Sequence, residues 1–390
     1  MILAACPVLA AVSRPLAGAL GCVTAGDVVA AHDVPSFANS AMDGFAVRAT
    51  DTLGAPVTLR VVGTAAAGAA PGVAVTAGAA VRIMTGAVLP AGADAVVMVE
   101  RTAPGGDGRV VIEVPAAPGD HLRRPGEDLR AGQVMFEAGT ELSPGHLGVL
   151  ASVGAATVEV IPPARVGVLS TGDELVAPGA ELRPGQIRDS NRPMLLALVA
   201  RAGCVPVDLG TAPDDEDAIA EAIGRGVTGC DAIITSGGVS VGDFDYVKTV
   251  LDRMGEMHWW QVAVRPAKPL AFGTVDGAPV FGLPGNPVSS LVSFELFARP
   301  ALRQMMGHRE LYRPQVPAVA DEAFRRRPDG KLHLLRVVAT PDDRGAWHVR
   351  SSGGEGSHLL RAMALANALA LLPDGDGVDE GASVQVMLLT

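Results

Sequence analysis

Three stretches rich in glycine, hydroxyl and carboxylate side chains each follow an apolar run of the sequence. STGDEL (170–175) follows VGVL, TSGGVSVGDFDY (235–246) follows AII, and GLPGNPVSS (282–290) follows APVF. Because ligands bind outside the carboxyl ends of the strands in a parallel α/β sheet, we expect the three loops to open onto one edge of one sheet. Gly237 and Gly238 allow backbone N–H groups to approach a ligand closely, and helix starts after such loops favour an anion. The loops therefore predict a phosphate-binding site.

The same loops carry four carboxylates, Asp173, Glu174, Asp243 and Asp245. These groups would repel a phosphate unless a hard cation lay between them, and oxygen ligands combined with phosphates are the usual setting for Mg²⁺. For any single loop, glycine and aspartate can equally be ordinary turn residues. Because three such loops occur after predicted strands, we expect a phosphorylated ligand together with Mg²⁺.

A fourth segment, VRPAKPLAFG, supplies Arg265 and Lys268 without a carboxylate of its own. These bases are candidates for anion contacts, although such a pair taken alone is more often a solvated surface feature. The neighbouring His258, Trp259 and Trp260 are more typical of core packing on a strand than of ring stacking on a ligand. We assign them no role in binding.

An α/β domain must position these loops. From residue 164 onward the apolar runs ARVGVLS, VPVDLG and DAIITS alternate with the helical patterns PMLLALVARAG, EDAIAEAIG and YVKTVLDRMG. Such a β-α-β series favours a parallel sheet with helices on both faces. Short Val-rich runs between residues 57 and 113 predict a small β domain, and the runs KLHLLRVVAT and SVQVMLL predict a second one at the C-terminal end. Residues 1–32 are predicted to be helical.

Composition narrows the function classes. The 390 residues include 42 acids and 31 bases, with a formal charge of −11, which argues against nucleic acid as a partner. The four cysteines form no C-x-x-C pair, so neither a zinc site nor a disulfide framework is indicated. No apolar run approaches the roughly 18 residues needed to span a bilayer, and the opening MILAACPVLAAV lacks the positive start of a signal peptide. We expect a soluble, cytoplasmic protein without a membrane partner.

Seven motifs in order resemble the molybdopterin molybdenumtransferase family, also called molybdenum insertases, whose relatives include the E domain of gephyrin. The resemblance covers almost the whole chain, and its motifs are DVPSFANSAMDGFAVR, RIMTGAVLPAGADAVVMVE, GEDLRAGQ, RVGVLSTGDEL, GQIRDSNRPML, TSGGVSVGDFDY and FGLPGNPVSS. It implies a homodimer whose active cleft lies between the α/β domain of one subunit and the N-terminal segments of the other. It also implies a multidomain α/β plus β fold in four parts. We place these as an elongated N-terminal domain (1–32 and 130–163), an inserted β-rich domain (33–129), a three-layer, parallel-sheet molybdopterin-binding α/β domain (164–308) and a C-terminal β-barrel-like domain (309–390).

The resemblance implies a reaction in molybdenum cofactor biosynthesis. Adenylylated molybdopterin and molybdate are the expected substrates, molybdenum enters the dithiolene, AMP is released, and Mg²⁺ assists. Molybdopterin adenylyltransferase and apo-molybdoenzymes are the implied protein partners. Two alternatives remain open, a molybdopterin adenylyltransferase, which shares the α/β domain, and a dimeric binding scaffold like the E domain of gephyrin.

Carried over by position, the resemblance implies catalytic roles for Asp245, Asp43, Glu174 and Asp128. Asp245 is the first candidate, with a helix cap as its alternative role; a turn is the alternative for Asp43. Asp243, Asp245 and Glu174 are the expected metal ligands. The loops and the resemblance together give the expected substrate-binding residues Thr85, Ser170, Thr171, Gly172, Asp214, Ser236, Gly237, Gly238, Ser240, Arg265, Lys268, Pro284, Gly285, Pro287 and Ser357.

Two positions depart from the family pattern. Family members often have lysine where Gln261 and Arg265 stand in this chain. Arginine keeps the charge at residue 265 but changes the donor geometry, whereas glutamine removes the charge at residue 261. We therefore expect anion contacts near these residues to differ from those of other members.

Overall fold

The computed structural model describes residues 1–70, 72–238, 246–354 and 356–389. Within these ranges no helix has the length and hydropathy that a membrane span requires. Most of the helical residues fall between residues 191 and 305, with one helix on either side of that region. The helices are α1 (Pro144–Ser152), α2 (Asn191–Arg201), α3 (Glu216–Gly229), α4 (Tyr246–Met254), α5 (Pro287–Ser293), α6 (Arg299–Met305) and α7 (Leu360–Leu365), with a π-helical turn at Phe294–Ala298 and 3-10 turns at Leu3–Ala5, Leu16–Gly18, Ala49–Thr52 and Val99–Arg101.

The N-terminal part of the chain is built almost entirely from short strands. These are β1 (Val12–Pro15), β2 (Val23–Thr24), β3 (Val28–Val29), β4 (Asn39–Ser40), β5 (Gly44–Val47), β6 (Val57–Ala65), β7 (Ala79–Ile83), β8 (Ala95–Met98), β9 (Thr102–Pro104), β10 (Arg109–Ile112), β11 (Leu122–Arg123), β12 (Val134–Phe136) and β13 (Thr157–Ile161). Strand β13 pairs with β1 and β2, and β12 pairs with β3, so segments from either side of a long insertion form one unit. The insertion holds a six-stranded sheet, ordered β8-β5-β7-β6-β10-β9, and the pair β4–β11.

The predicted helix over residues 1–32 is wrong. That segment contains β1, β2 and β3 with short 3-10 turns. Pro7 and Pro15 lack the N–H that a helix interior needs, and valines at the strand positions favour extended backbone. The small apolar residues of this segment are compatible with one face of a helix as well as with short strands, so their pattern alone does not distinguish the two.

The middle of the chain forms a six-stranded sheet, ordered β17-β14-β18-β22-β21-β19. The strands in this part of the chain, including three that lie outside that sheet (β15, β16 and β20), are β14 (Arg165–Thr171), β15 (Leu175–Val176), β16 (Ile187–Arg188), β17 (Val205–Ala212), β18 (Ala232–Ser236), β19 (Gly255–Gln261), β20 (Val264–Arg265), β21 (Pro269–Val275) and β22 (Ala278–Leu283). The first four strands of the sheet are parallel, which confirms the predicted parallel core. The other two extend it in the antiparallel sense.

A tight hairpin produces the antiparallel edge. Strands β21 and β22 are joined at Asp276 and Gly277, which both have positive φ values, of 48° and 83°. Two consecutive residues with positive φ are what a type I′ hairpin turn needs, and Asp-Gly is a preferred pair for it. The sequence VDGA carried this signal.

Helices cover both faces of the sheet in three layers. Ile234 faces the core shared with α2, α5 and α6, while its neighbour Ile233 faces the core shared with α3 and α4. Val168 and Leu169 on β14 divide between the two cores in the same way. Because side chains alternate along a strand, an apolar residue at every position is expected for strands buried on both faces. The three-layer prediction is confirmed.

The C-terminal part closes into a barrel. Its strands are β23 (Gln315–Ala320), β24 (Phe324–Arg325), β25 (Leu332–Pro341), β26 (Trp347–Ser351), β27 (Ala368–Leu372), β28 (Gly377–Val378) and β29 (Ser383–Leu388). Five of them pair around a ring, β25-β26-β23-β29-β27, and β27 returns to β25. Strand β20 of the preceding region pairs with β25, which joins the barrel to the α/β region beside Arg265.

Candidate active site

The carboxyl ends of the four parallel strands lie side by side. Ser170 pairs with Ser236, Ser236 pairs with Leu283, and Thr171 pairs with Ala212 on the outer strand. The loops that follow these residues therefore begin at one edge of the sheet, as the sequence predicted. We call this edge, formed by residues 170–174, 212–214, 236–238 and 283–287, the strand-end rim.

Glycines bring the loops of the strand-end rim into direct contact. Gly172, Gly237 and Gly238 have φ values of 146°, 99° and 68°, which L side chains rarely adopt. A Cβ atom at Gly237 would lie 3.0 Å from the carbonyl oxygen of Thr171, and one at Gly285 would lie 3.8 Å from Cα of Gly237. The rim therefore presents backbone without side chains from three loops, which allows a ligand to approach closely. The N–H groups of Gly172 and Gly237 themselves donate to the carbonyl oxygens of Ala212 and Leu283, at 3.2 and 3.1 Å.

One side chain that the sequence reasoning missed connects two of these loops. The Nδ2 atom of Asn191 donates to Ser236 Oγ at 2.8 Å and to the carbonyl oxygen of Gly285 at 2.7 Å. Asn191 is 9% exposed and begins α2, directly after the segment RDS. The signal available in the sequence was an asparagine just before the helical pattern, within the GQIRDSNRPML motif.

Carboxylates lie at the outer end of the strand-end rim. The backbone N–H of Asp214 donates to Asp173 Oδ1 at 3.1 Å, so the loops after β14 and β17 are in contact. Asp215 is the residue that caps α3, because its Oδ1 accepts from the N–H of Ala218 at 2.9 Å. The side chain of Asp214, a predicted substrate-binding residue, is therefore not the cap. Glu174 folds towards Gly172, where an added Cβ atom would lie 2.4 Å from its Oε2.

The expected metal ligands are only partly within the described residues. Ser240, Asp243 and Asp245 lie outside them, so the first catalytic candidate and two of the three expected ligands have no described position. In the described part of the chain, no group of three or more His, Cys, Asp or Glu side chains is placed to hold a metal ion. The oxygen donors of Glu174 are of the type that Mg²⁺ prefers.

Asp43 and Thr85, predicted from different motifs, form a contact in the inserted sheet region. Asp43 Oδ1 accepts hydrogen bonds from the backbone N–H of Thr85 at 2.6 Å and from its hydroxyl at 2.8 Å. These bonds, first the backbone one and then the hydroxyl one, hold the pKa of Asp43 below its ordinary value, with a smaller effect from the charge of Arg82. Asp128 is exposed, and its backbone N–H donates to Val34. Among the described residues, none of these three predicted site residues forms a hydrogen bond with the strand-end rim.

A second concave feature lies next to the strand-end rim, between the α/β region and the barrel. This cavity has a volume of about 530 Å³, and we call it the basic cavity. It brings Ser357 together with two predicted residues that are distant from it in sequence, Arg265 and Lys268. The backbone N–H of Val288 donates to the carbonyl oxygen of Ser357 at 3.2 Å, which ties the barrel loop to the helix after the LPGNP segment. Pro284 is buried at the end of β22, and Pro287 is the first residue of α5.

The basic cavity also contains charged residues that the sequence reasoning missed. Lys331 and Asp329 line it, with Lys331 Nζ 3.0 Å from Asp329 Oδ2. The hydrogen bond from Lys331, followed by the one with His333, lowers the pKa of Asp329 to about 2. Arg326, whose side chain is 2% exposed, holds the other oxygen of Asp329 at 2.8 Å. No sequence motif indicated that this barrel segment would meet Arg265.

Comparisons with known proteins agree with this architecture. Residues 1–154 match the family model described as MoeA N-terminal region (domain I and II), residues 167–304 match the probable molybdopterin binding domain, and residues 318–389 match the MoeA C-terminal region (domain IV). The chain is 44% identical over 387 residues to molybdopterin molybdenumtransferase 2 of Mycobacterium tuberculosis, covering 97% of this chain and 94% of that protein. It is 39% identical over 365 residues to the molybdopterin molybdenumtransferase of Haemophilus influenzae, covering 93% and 90%.

A solved structure shares the whole fold. The molybdopterin biosynthesis moeA protein from Pyrococcus horikoshii OT3 superposes with a TM-score of 0.81 at 30% identity, covering 99% of this chain and 97% of that one. The matches extend across the strands, the α/β region and the barrel together. The chain therefore belongs to the molybdopterin molybdenumtransferase family. The predicted family, transferase class and multidomain fold are confirmed.

Proposed function

We propose that the chain transfers molybdenum from molybdate to molybdopterin, takes the molybdopterin in its adenylylated form and releases AMP. The observation that carries this proposal is the position of the basic cavity beside the strand-end rim, with the 284–289 segment contributing to both. A ligand with phosphates at one end and a metal-accepting group at the other needs two adjoining anion sites. Family membership supports molybdopterin as the core of that ligand.

The strand-end rim is the proposed phosphate site. Gly172, Gly237 and Gly238 keep side chains away from a ligand there. The N–H groups of Gly172 and Gly237 donate to the carbonyls of Ala212 and Leu283, so the proposed fixed donor is the N–H of Gly238, which makes no hydrogen bond with another described residue and would stabilise the charge on the oxygens of a breaking phosphoric anhydride. Glu174, with Asp243 and Asp245, would hold Mg²⁺, whose chemistry is to neutralise the same charge. The oxygen donors of these side chains fit that ion.

The basic cavity is the proposed molybdate site. Arg265, Lys268 and Lys331 supply positive charge, and the hydroxyls of Ser289 and Ser357 supply short hydrogen-bond donors. An oxyanion is attracted to such a set, whereas the carboxylates of the rim would repel it. The two anionic substrates are thereby received by separate parts of one cleft.

The proposal extends to a cytoplasmic homodimer with the four domains bounded as expected from the sequence. Asp43 and Thr85 are hydrogen-bonded to each other on the surface. Among the described residues, neither side chain forms a hydrogen bond with the strand-end rim of the same chain. A second subunit could bring that contact, with Asp128, to the cleft. Molybdopterin adenylyltransferase and apo-molybdoenzymes are the proposed partners that supply the substrate and receive the product.

The test is to incubate the purified protein with adenylylated molybdopterin, molybdate and Mg²⁺, and to measure AMP together with reconstitution of an apo-molybdoenzyme. We expect both signals, and we expect reconstitution to require molybdate. Asp245→Ala should slow AMP release; release at the wild-type rate would remove the proposed role of this carboxylate. Formation of adenylylated molybdopterin from ATP would identify an adenylyltransferase. Peptide binding without either activity would favour the scaffold alternative.

A further inference from the structure

We propose that Asn191 is a positioning residue that sets the spacing between the Gly237-Gly238 loop and the LPGNP loop of the strand-end rim. Its carboxamide has two N–H groups and both are used, one on Ser236 and one on the carbonyl oxygen of Gly285. These acceptors are 45 and 94 residues away in sequence. One side chain thus connects two ligand loops that the chain itself leaves far apart.

Backbone pairing in the sheet does not extend far enough to hold the two loops together. The ladder between β18 and β22 ends at the pair Ser236 and Leu283, followed by a bond of 3.1 Å from the N–H of Gly237 to the Leu283 carbonyl. Gly285 lies beyond this last rung. The contact from Asn191 therefore continues the connection between the strands past the point where backbone pairing ends.

The chemistry of the acceptors fixes the orientation of the amide. The Gly285 carbonyl has no proton, so only the NH₂ group of Asn191 can face it favourably. The Oδ1 atom of Asn191 is buried and makes no hydrogen bond with the described residues. A flipped amide would place Oδ1 against a carbonyl oxygen, and this repulsion is why the Nδ2 assignment is the stable one.

The proposed role of Asn191 depends on its two N–H donors as well as on its size, and variants can separate these two properties. Asn191→Asp keeps the shape but can only accept, so the Ser236 hydroxyl can still donate to it while the Gly285 carbonyl meets a carboxylate oxygen. Asn191→Ala removes both bonds. Asn367→Ala is the matched control, because Asn367 also makes two hydrogen bonds through its side chain, with the backbone of Ala339 in the barrel.

The first measurement is amide hydrogen exchange of the ligand-free protein. With Asn191→Asp we expect exchange in residues 283–290 to rise at least fivefold, with a smaller rise at Gly237 and Gly238. Asn191→Ala should raise exchange in both loops, and Asn367→Ala in neither. The proposal would be overturned if residues 283–290 of the Asn191→Asp variant exchanged at the wild-type rate. It would also be overturned if Asn367→Ala raised their exchange rate as much as Asn191→Asp does.

The second measurement is the AMP-release assay, and this arm rests on the proposed function. We expect both Asn191 variants to raise KM for adenylylated molybdopterin at least tenfold, while their thermal midpoints fall no further than that of Asn367→Ala. A KM equal to that of the wild type would overturn the positioning role. If the wild-type protein itself releases no AMP, the proposed function fails, whereas hydrogen exchange still decides the role of Asn191.

Discussion

Replacing Gly237 with alanine should separate backbone strain from damage to the strand-end rim. Gly237 has φ +99°, and an L residue in the left-handed region costs about 1–2 kcal/mol. At about 2–4 °C per kcal/mol, the thermal midpoint should fall by roughly 2–8 °C. The methyl group adds a second effect, because it would lie 3.0 Å from the Thr171 carbonyl oxygen, and the loops must separate by a few tenths of an ångström.

Gly277→Ala is the matched control for this prediction. Gly277 has φ +83° with no atom within 4 Å of an added Cβ, and it lies in the hairpin before β22, at the opposite end of that strand from the rim. Both variants should lose similar stability. Only Gly237→Ala should lose catalytic efficiency, by about five- to tenfold, since a misplacement of about 1 Å costs roughly a hundredfold.

The assay is kcat/KM for AMP release, measured well below both thermal midpoints and normalised to folded protein. Equal kcat/KM values for the two alanine variants would refute the reasoning, because the contact between Gly237 and Thr171 would then have no bearing on the ligand site. A loss of stability confined to Gly237→Ala would also contradict it, since both glycines have positive φ.

Three further perturbations test other parts of the structure. Thr85→Val keeps the backbone donor to Asp43 but removes the hydroxyl, so the pKa of Asp43 should rise towards its ordinary 3.8 in an NMR titration, and the stability that its ionised form contributes should be lost at a higher pH as the solution is acidified. The carboxyl group of Asp329 has a pKa of about 2 and is therefore negatively charged at neutral pH. Asp329→Asn removes this charge, so molybdate should bind roughly threefold more tightly by calorimetry. Weaker binding would mean that the carboxylate positions the neighbouring bases of the cavity and does not oppose the anion. Glu295→Gln, at a side chain 1% exposed between two arginines, should cost about 3 kcal/mol of unfolding free energy in urea, whereas Glu221→Gln, at a side chain 74% exposed, should cost under about 1 kcal/mol.

The sequence predicted those parts of the site that depend on local pattern. The loops beginning at Ser170 and Ser236 were placed at one edge because apolar runs preceded them and a parallel sheet aligns its carboxyl ends. The helical prediction for residues 1–32 failed because small apolar residues fit either periodicity, whereas Pro7 and Pro15 exclude a continuous helix.

Contacts between distant segments could not be predicted in this way. Lys331 and Asp329 reach the basic cavity only because the barrel strand β25 pairs with β20, and neither residue has a motif of its own. Asn191 belonged to a quoted motif, but its two acceptors are set by the packing of α2 against the sheet. Pattern indicates which backbone segments end at a site, whereas long-range packing determines which side chains connect them.

The LPGNP segment couples the two halves of the proposed cleft. Gly285 is held at the strand-end rim by Asn191, while Ser289, four residues later, lines the basic cavity. Between them, Val288 donates its N–H to Ser357 of the barrel loop. Because only three residues separate Gly285 from Ser289 and one of them is Pro287, whose φ is fixed, we expect a shift at the rim end to be transmitted to the cavity. Loosening Gly285 should therefore weaken the binding of an oxyanion as well as that of a nucleotide, even though the strand-end rim and the basic cavity have no lining residue in common.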